Sequence, residues 1–457
     1  MKRLIALICL LLLASCATVK EYDKDAIEIV DGLAYDKSLL DRGVRNPITG
    51  IVHKRTPRRI FQYQYKDGVL RHQQDHYPDG FLSYQAEFDE FGLLDGEILR
   101  TDTKENGERG RYRHGVLHGQ FHEWHNTSGL VFDRTFELVN GVRREQLNAF
   151  PKGVWLPTAS FENNFDIRAA RHTPDIDLAD TKLLDNFTGW AWNTRRDGIR
   201  QARYEQGRQR EHWSYNKKGL LISYRHALQD GGQLRCGFSE GYLLSCRQQD
   251  VRGRAQGIQL IQSRRDGNFR FLEHHLKDGT LDGTHRLWDG KEGLQAEMLF
   301  VNGVRKDNLE RLERDLDLPM PWLAPEMQPD QVHYFTSRSR VGKTFNGWAL
   351  VQKSNGRLDW LGHYRDGAQL ETWDYRGDST LGRYKRHLPD GSLVSVTYRD
   401  GVLTSYEEKN ARGYTHGRKL KRRYGKEEYK DSRHENLRQQ GKTTLYSWSE
   451  SGELIVD

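Results

Sequence analysis

Along most of this chain apolar and polar residues alternate with a period near two, and the alternation is broken at short intervals by glycine. Gly119-Gln120-Phe121-His122-Glu123-Trp124 is typical, and that period marks a strand with two unlike faces. The interruptions follow a pattern: an aromatic or apolar residue, two polar residues, a glycine, then usually an apolar pair. Clean copies are Tyr65-Lys66-Asp67-Gly68-Val69-Leu70, Tyr112-Arg113-His114-Gly115-Val116-Leu117 and Tyr398-Arg399-Asp400-Gly401-Val402-Leu403. Shorter ones are Phe300-Val301-Asn302-Gly303-Val304 and Tyr364-Arg365-Asp366-Gly367, with looser copies around Gly80, Gly129, Gly141, Gly207, Gly219, Gly279, Gly391 and Gly452. Asp-Gly or Asn-Gly between strand-forming residues is a strong hairpin signal, because a type I′ turn needs positive φ at both central positions. A ladder of such hairpins makes an antiparallel meander.

A longer repeat is superimposed. Ile48-Thr49-Gly50-Ile51-Val52, Phe187-Thr188-Gly189-Trp190-Ala191 and Phe345-Asn346-Gly347-Trp348-Ala349 read as three openings. Val139-Asn140-Gly141-Val142-Arg143 and Val301-Asn302-Gly303-Val304-Arg305 close two of the modules, with Leu147 and Leu309 at the same offset. Trp155-Leu156-Pro157 echoes Trp322-Leu323-Ala324-Pro325 in the connectors. Apolar residues at 309, 312 and 316 suit a short connecting helix. The fold class expected is all-β: an elongated antiparallel meander of repeated hairpins in three homologous modules, with short helical connectors.

The beginning of the chain has a different texture. Lys2 and Arg3 precede an apolar run from Leu4 to Leu13, followed by Ala14-Ser15-Cys16. The run is too short for a bilayer core, which takes about 20 residues, and its layout is that of a cleaved export signal. Leu13-Ala14-Ser15-Cys16 resembles the lipobox of bacterial lipoproteins. The resemblance implies cleavage before Cys16, a diacylglycerol thioether on its sulfur, and usually an acylated amine. More than one chain makes such an anchor stable. Ala17, in place of Asp, implies outer-membrane delivery, facing the periplasm. The organisation expected is a signal peptide over 1–15, a lipidated tether with an irregular lead-in over 16–45, repeat modules over 46–148, 186–310 and 344–457, and connectors over 149–185 and 311–343.

Composition agrees with thin sheets better than with a thick enzyme core. Hydrophobic residues are 36% of the chain while aromatics reach 11%, and mean hydropathy is −0.84. Few aliphatics with many rings suits half-solvated sheets held by cross-strand aromatic pairs. The net charge of +7 points to an acidic partner or anionic headgroups, or to no more than a solvated surface. With Cys9 lost in the leader and Cys16 lipidated, Cys236 and Cys246 remain, as expected of one disulfide in an oxidising compartment. They are equidistant from Gly241, so a hairpin loop of odd length would set them opposite one another.

The short unit resembles the MORN-repeat family, in particular the bacterial variant found in YwqK-type antitoxin proteins. The likeness is clearest from Tyr112-Arg113-His114-Gly115-Val116-Leu117-His118-Gly119 through Trp124 to Gly129. Many other copies lack the second glycine. The resemblance implies a non-catalytic scaffold that binds protein or lipid.

Other motifs dissolve into the repeat. Gly237-Phe238-Ser239-Glu240-Gly241 spells a hydrolase nucleophile elbow, which needs a strand-to-helix turn. Here it overlays Tyr398-Arg399-Asp400-Gly401 and should be a hairpin turn between strands. His118, His122, His125 and Glu123 suggest metal ligands, yet same-face residues four apart on a strand are separated by about 13 Å. Gly342-Lys343-Thr344 and Gly441-Lys442-Thr443 lack the upstream glycine of a phosphate loop. The densest charge run, Arg418, Lys419, Lys421, Arg422 and Arg423, could touch anionic lipid or an acidic protein, or be a charged edge strand. No cofactor, metal or nucleic-acid partner is expected. The reading that follows is a non-catalytic, lipid-anchored envelope protein that binds a protein partner, in its sharpest form a toxic effector, with an outer-membrane structural or anionic-lipid scaffold as the alternative.

Overall fold

A computed structural model describes residues 20–103, 105–127, 130–149, 158–162, 165–173, 178, 186–265, 268–316, 332–423, 426, 428–449 and 453–457. The leader, Cys16, the Gly129 and Gly452 copies and both Trp-Leu connector motifs lie outside these residues. The described chain is all-β with few helices. Ten strands follow one another over Glu21–Arg143 as neighbours in one sheet, apart from a small separate hairpin of Ile27–Val30 and Leu33–Asp36. Twelve strands then run over Ala170–Arg305, and eleven over Val332–Val456, again neighbours in sequence order.

Each run opens with a strand the alternation did not reveal. Glu21–Asp23 pairs parallel with Gly50–Arg55, Ala170–His172 with Gly189–Arg195, and Val332–Phe335 with Gly347–Gln352. Residues 20–45 are therefore structured rather than an irregular lead-in: Ile27 and Ala34 are buried with Ile48, Val52 and Tyr65. The sheets are otherwise mostly antiparallel, as the hairpin repeat requires.

The turn glycines carry the positive φ expected of them, as at Asp67 (52°) and Gly68 (77°), or Asn302 (48°) and Gly303 (82°). The structure adds what surrounds such turns. The Gly68, Gly207 and Gly367 amides donate to the carbonyls of Ile48, Phe187 and Phe345. One position earlier in each turn, the amides of Asp67, Gln206 and Asp366 donate to the side chains of Thr49, Thr188 and Asn346. The polar-Gly pair near the start of each run is thus the cap of the hairpin turn beside it. The second glycine of the short unit repeats the arrangement: Gln256 and Asp282, which precede Gly257 and Gly283, accept from the amides of Asp278 and Asn302.

The chain divides into two compact units, residues 1–148 with 157–224 and 238–242, and residues 149–156 with 225–237 and 243–457. Within each, turns from successive runs of strands are joined through their backbones. In the first unit the Leu117 amide donates to Gly219, Gly141 to Leu117, and Leu221 to Gly141, at 3.0, 2.8 and 3.1 Å. In the second, Leu281 donates to Ser379, Gly303 to Leu281, and Leu381 to Gly303, at 3.0, 2.6 and 2.9 Å. Ala255, Gly279 and Leu358 make a further set with Gly356. Backbones this close leave no room for a side chain: a Cβ on Gly303 would stand 2.5 Å from the Leu381 nitrogen.

Large rings sit among the aliphatics of the interior. Trp213 lies between Trp190 and Tyr224 in the first unit, and Trp373 between Trp348 and Tyr384 in the second, with centroids 5.1–5.6 Å apart. Tyr224 and Tyr384 donate to Glu211 and Glu371, which satisfies the polar end of each buried ring. Trp213, Trp373, Tyr224 and Tyr384 are fully buried rather than half-solvated, because each of these faces is covered. In the second unit the cover includes the helix Lys306–Leu316, whose Leu309, Leu312 and Leu316 pack on Trp373, Tyr398 and Tyr429. Asn308 ties its start to Tyr429 and Leu403. Arg418 closes its end by donating to the Leu316 carbonyl at 2.7 Å, satisfying an orphan group of the last turn.

Candidate functional site

Cys236 and Cys246 lie on Gln233–Ser239 and Tyr242–Gln249 and are joined by a disulfide, with their Cα atoms 4.1 Å apart. The turn between them is the two-residue kind, Glu240 and Gly241 at φ 49° and 77°, not a loop of odd length. In the hairpin that overlays it, a register shift after Thr397 sets Val396 opposite Tyr406. A bulge of that kind supplies the odd residue that brings equidistant positions face to face. Ser239 ends its strand beside this turn, with strand on both sides and no helix.

The basic run is distributed over paired positions. Arg418 meets Asp431 at 2.8 Å, Lys419 meets Glu407 at 2.9 Å and Arg423 meets Glu428 at 2.9 Å. The Arg422 Nε donates to the Lys426 carbonyl, and Lys421 is exposed. The Glu407 carboxyl shows how tightly these charges are matched. Burial, its largest single influence, pushes it up, yet hydrogen bonds from Thr415, Lys419 and Lys409 bring it down to about 2. Three of the five cations in this stretch, Arg418, Lys419 and Arg423, face a carboxylate.

The histidines of the first unit are likewise dispersed. His122 bonds Asp133 at 2.8 Å, His125 approaches Glu123, and His118 meets Asn140. Among the described residues no group of three His, Cys, Asp or Glu side chains is placed to hold a metal. These strands do form a concave face. A register shift between Leu117 and Phe121 bends Val116–Thr127, and a depression of about 720 Å³ opens over Glu97, Arg109, Arg111, Gln120, His122 and Glu137. Gln120, His122 and Trp124 alternate with core-facing Phe121 and so share this outer side. The Trp124 ring lies tilted against that of His122, centroids 4.9 Å apart, and stands opposite Asp133, two residues from Val131, which is 76% exposed.

The second unit contains a smaller cavity, of about 320 Å³. His274, His285 and Met298 form a cross-strand row along its floor, and Phe300 lies 5.6 Å from His285. Arg305, Arg399 and Arg422 stand around it with Asp378 and Asp400. His274 is only 3% exposed, and its ring meets that of His285 edge to face at 4.7 Å. The Nδ1 atoms of both are buried without a hydrogen-bond partner. Burial pushes the His274 imidazole down to about 3, with His285 and Arg357 adding to the effect and Asp378 opposing it. Burial also lowers His285, against the pull of Asp378. Both rings are neutral at neutral pH. Sequence reasoning placed His274 and His275 on opposite faces but missed the pairing with His285, whose only signal is a cross-strand register.

Among the described residues no helix is long and apolar enough to cross a membrane. No family model matches the sequence, and no curated protein is similar to it. Among solved structures the chain is similar to one described as "Crystal Structure of TcdB2-TccC3-Cdc42", at 9% identity over 93% of this chain with a TM-score of 0.18. The chain spans 27% of that structure's length. A GH43 protein, a point mutant of BlXynB from Bacillus licheniformis, is similar at 8% identity, with 89% of this chain and 88% of that one covered and a TM-score of 0.10. At such scores neither bears on what this chain does.

Proposed function

We propose that the chain is a non-catalytic binding protein of the bacterial envelope, held to the outer membrane by lipid on Cys16 and engaging a protein partner in the periplasm. The leader Lys2 to Cys16 supports the location. The observation that carries the binding role is the concave outer face of the first unit. It combines charges of both signs with Trp124 and an exposed Val131 beside them. Tryptophan and arginine ringed by polar groups are the composition of interface hot spots, whereas a lipid headgroup surface selects an excess of unpaired cations. The carboxylates facing Arg418, Lys419 and Arg423 weigh against a headgroup role for those three. The resemblance to antitoxin repeats suggests the form this takes: an immunity lipoprotein that neutralises a toxic effector delivered to the envelope.

The test is photocrosslinking from position 122 in the lipidated protein expressed in a bacterial host, with position 387 in the second unit as control. A single stoichiometric protein joined from position 122, lost in Trp124→Ala with Arg109→Glu and toxic when sent alone to the periplasm, is the expected result. Crosslinks to lipid alone, or a partner indifferent to both substitutions, would overturn the proposal. Cys16→Ala should release the protein from the membrane fraction; retention there would remove the lipid anchor from the reading.

A further inference from the structure

Two imidazoles buried with unused ring nitrogens are costly to a fold, since an unsatisfied buried polar group loses its solvation and gains nothing. Packing gives no reason for them. Leucine or methionine would fill the same row beside Met298 without stranding a donor. His274 and His285 instead direct polar capacity toward a cavity. A neutral imidazole presents one N–H donor and one lone pair; with both Nδ1 atoms closed off, each ring can offer the cavity its Nε2, as donor or as acceptor.

The surroundings narrow what would use that capacity. Three guanidinium groups against two carboxylates give the cavity wall a positive excess. Of the three, Arg305 is committed to Asp307 and Arg422 donates to a backbone carbonyl. Arg399 is exposed and has no ion-pair partner among the described residues. One oxygen of Asp378 is held by Thr380, which fixes that carboxylate as part of a turn. Leu281, Met298, Phe300 and Val402 supply apolar wall. The volume of about 320 Å³ falls at the small end of ligand pockets, which span about 300–1,000 Å³.

We infer that this cavity binds a small organic oxyanion: a carboxylate or phosphate head on Arg399 and Arg422, an apolar body over Met298 and Phe300, and a hydroxyl or amide on the His274–His285 pair. Planar guanidinium forks match the paired oxygens of either head. The neutral imidazoles fit an uncharged polar group better than a second anion. This site lies in the second unit and is independent of the protein-binding face proposed above.

The test uses residues 17–457, which omit the leader and Cys16, and three probes: 4-hydroxybenzoate, phenyl phosphate and neutral 4-hydroxybenzamide. Ring resonances of His274 and His285 are followed by NMR, with assignment by single substitution. A saturable shift of both rings with one or both anions at millimolar concentration, and none with the amide, is expected; the two anions report which head is preferred. Arg399→Gln, an exposed position that leaves the floor intact, should weaken binding by about tenfold or more, the scale of a charge-assisted hydrogen bond. His285→Leu, which keeps the volume, should weaken 4-hydroxybenzoate more than unsubstituted benzoate. Absence of a saturable shift with either anion, equal response to the amide, or affinity unchanged in Arg399→Gln would each overturn the assignment.

Discussion

Replacing Gly303 by alanine tests whether the joined turns hold the second unit together. The residue sits at φ +82°, and a Cβ there would lie 2.5 Å from the Leu381 nitrogen and 2.9 Å from the Ser379 oxygen. An L-residue in this region costs about 1–2 kcal/mol by itself. The contact with Leu381 cannot be relieved by a rotamer change, because the obstructing atoms are backbone. Relief must lengthen the Leu381-to-Gly303 bond, 2.9 Å, or the Gly303-to-Leu281 bond, 2.6 Å, and orphaning a buried peptide group costs about 1–3 kcal/mol. The expected loss is about 2–5 kcal/mol, the sum of the two effects. Gly413→Ala provides the reference, since Gly413 has φ +81° and open space around its would-be Cβ; it should lose only the conformational part. The assay is urea-dependent hydrogen exchange read on peptides within 358–409, which isolates the second unit. With an m-value of about 2–3 kcal/mol/M, the two variants should differ by roughly 1 M in midpoint. Equal midpoints would mean that the turns merely touch and that strand pairing alone sets stability.

The other expectations are simpler. Ser379→Gly should stabilise the second unit by about 1 kcal/mol, because Ser379 is buried at φ +70° with an unpartnered Oγ where the first unit has Gly219; urea unfolding showing no gain would refute this. Reducing the Cys236–Cys246 bond, or replacing both by serine, should cost about 2–3 kcal/mol, measured as the midpoint difference with and without reductant. The Glu407 carboxyl is depressed to about 2 in the folded chain, against about 4.3 unfolded. Its contribution is therefore complete above the unfolded value and is lost as pH falls from about 4 toward 2. Glu407→Gln should flatten the acid limb of the stability–pH curve in that window, and an unchanged limb would show that the Lys419 and Lys409 contacts carry no net stability.

Local order was readable from the residues, and non-local order was not. Asp-Gly and Asn-Gly announced where the chain reverses, and the spacing of Leu309, Leu312 and Leu316 announced the helix, since both depend on neighbours in sequence. The parallel strands Glu21–Asp23, Ala170–His172 and Val332–Phe335 are three or four residues long, too short for a period to register. The turn glycines serve φ, but what Gly141, Gly219, Gly279 and Gly303 meet is a turn from another run of strands, and no local pattern states that distance. The Thr-Gly and Asn-Gly openings were visible as repeats while their work, capping the neighbouring turn, needed the register. For the cysteines, equidistance from Gly241 was the useful signal, although a bulge rather than an odd loop supplies the geometry. At the cavity, His274 looked like any strand residue; only the pairing with His285 and the approach of Asp378 and Arg399 made it unusual.

The joined turns also constrain how such a chain could have grown. Leu117, Gly141 and Leu221 occupy the same relation as Leu281, Gly303 and Leu381. Together these contacts fix the hairpins of one run against a named turn of the next. Inserting or deleting a single hairpin would therefore move every later turn out of alignment with its counterpart and bring side chains to places that admit only a bare backbone. Duplication of a complete run preserves all the counterparts at once. Length variation among descendants of this sequence should accordingly spare the hairpins whose turns are joined, while the runs of ten, twelve and eleven strands in this chain show that run length itself varies.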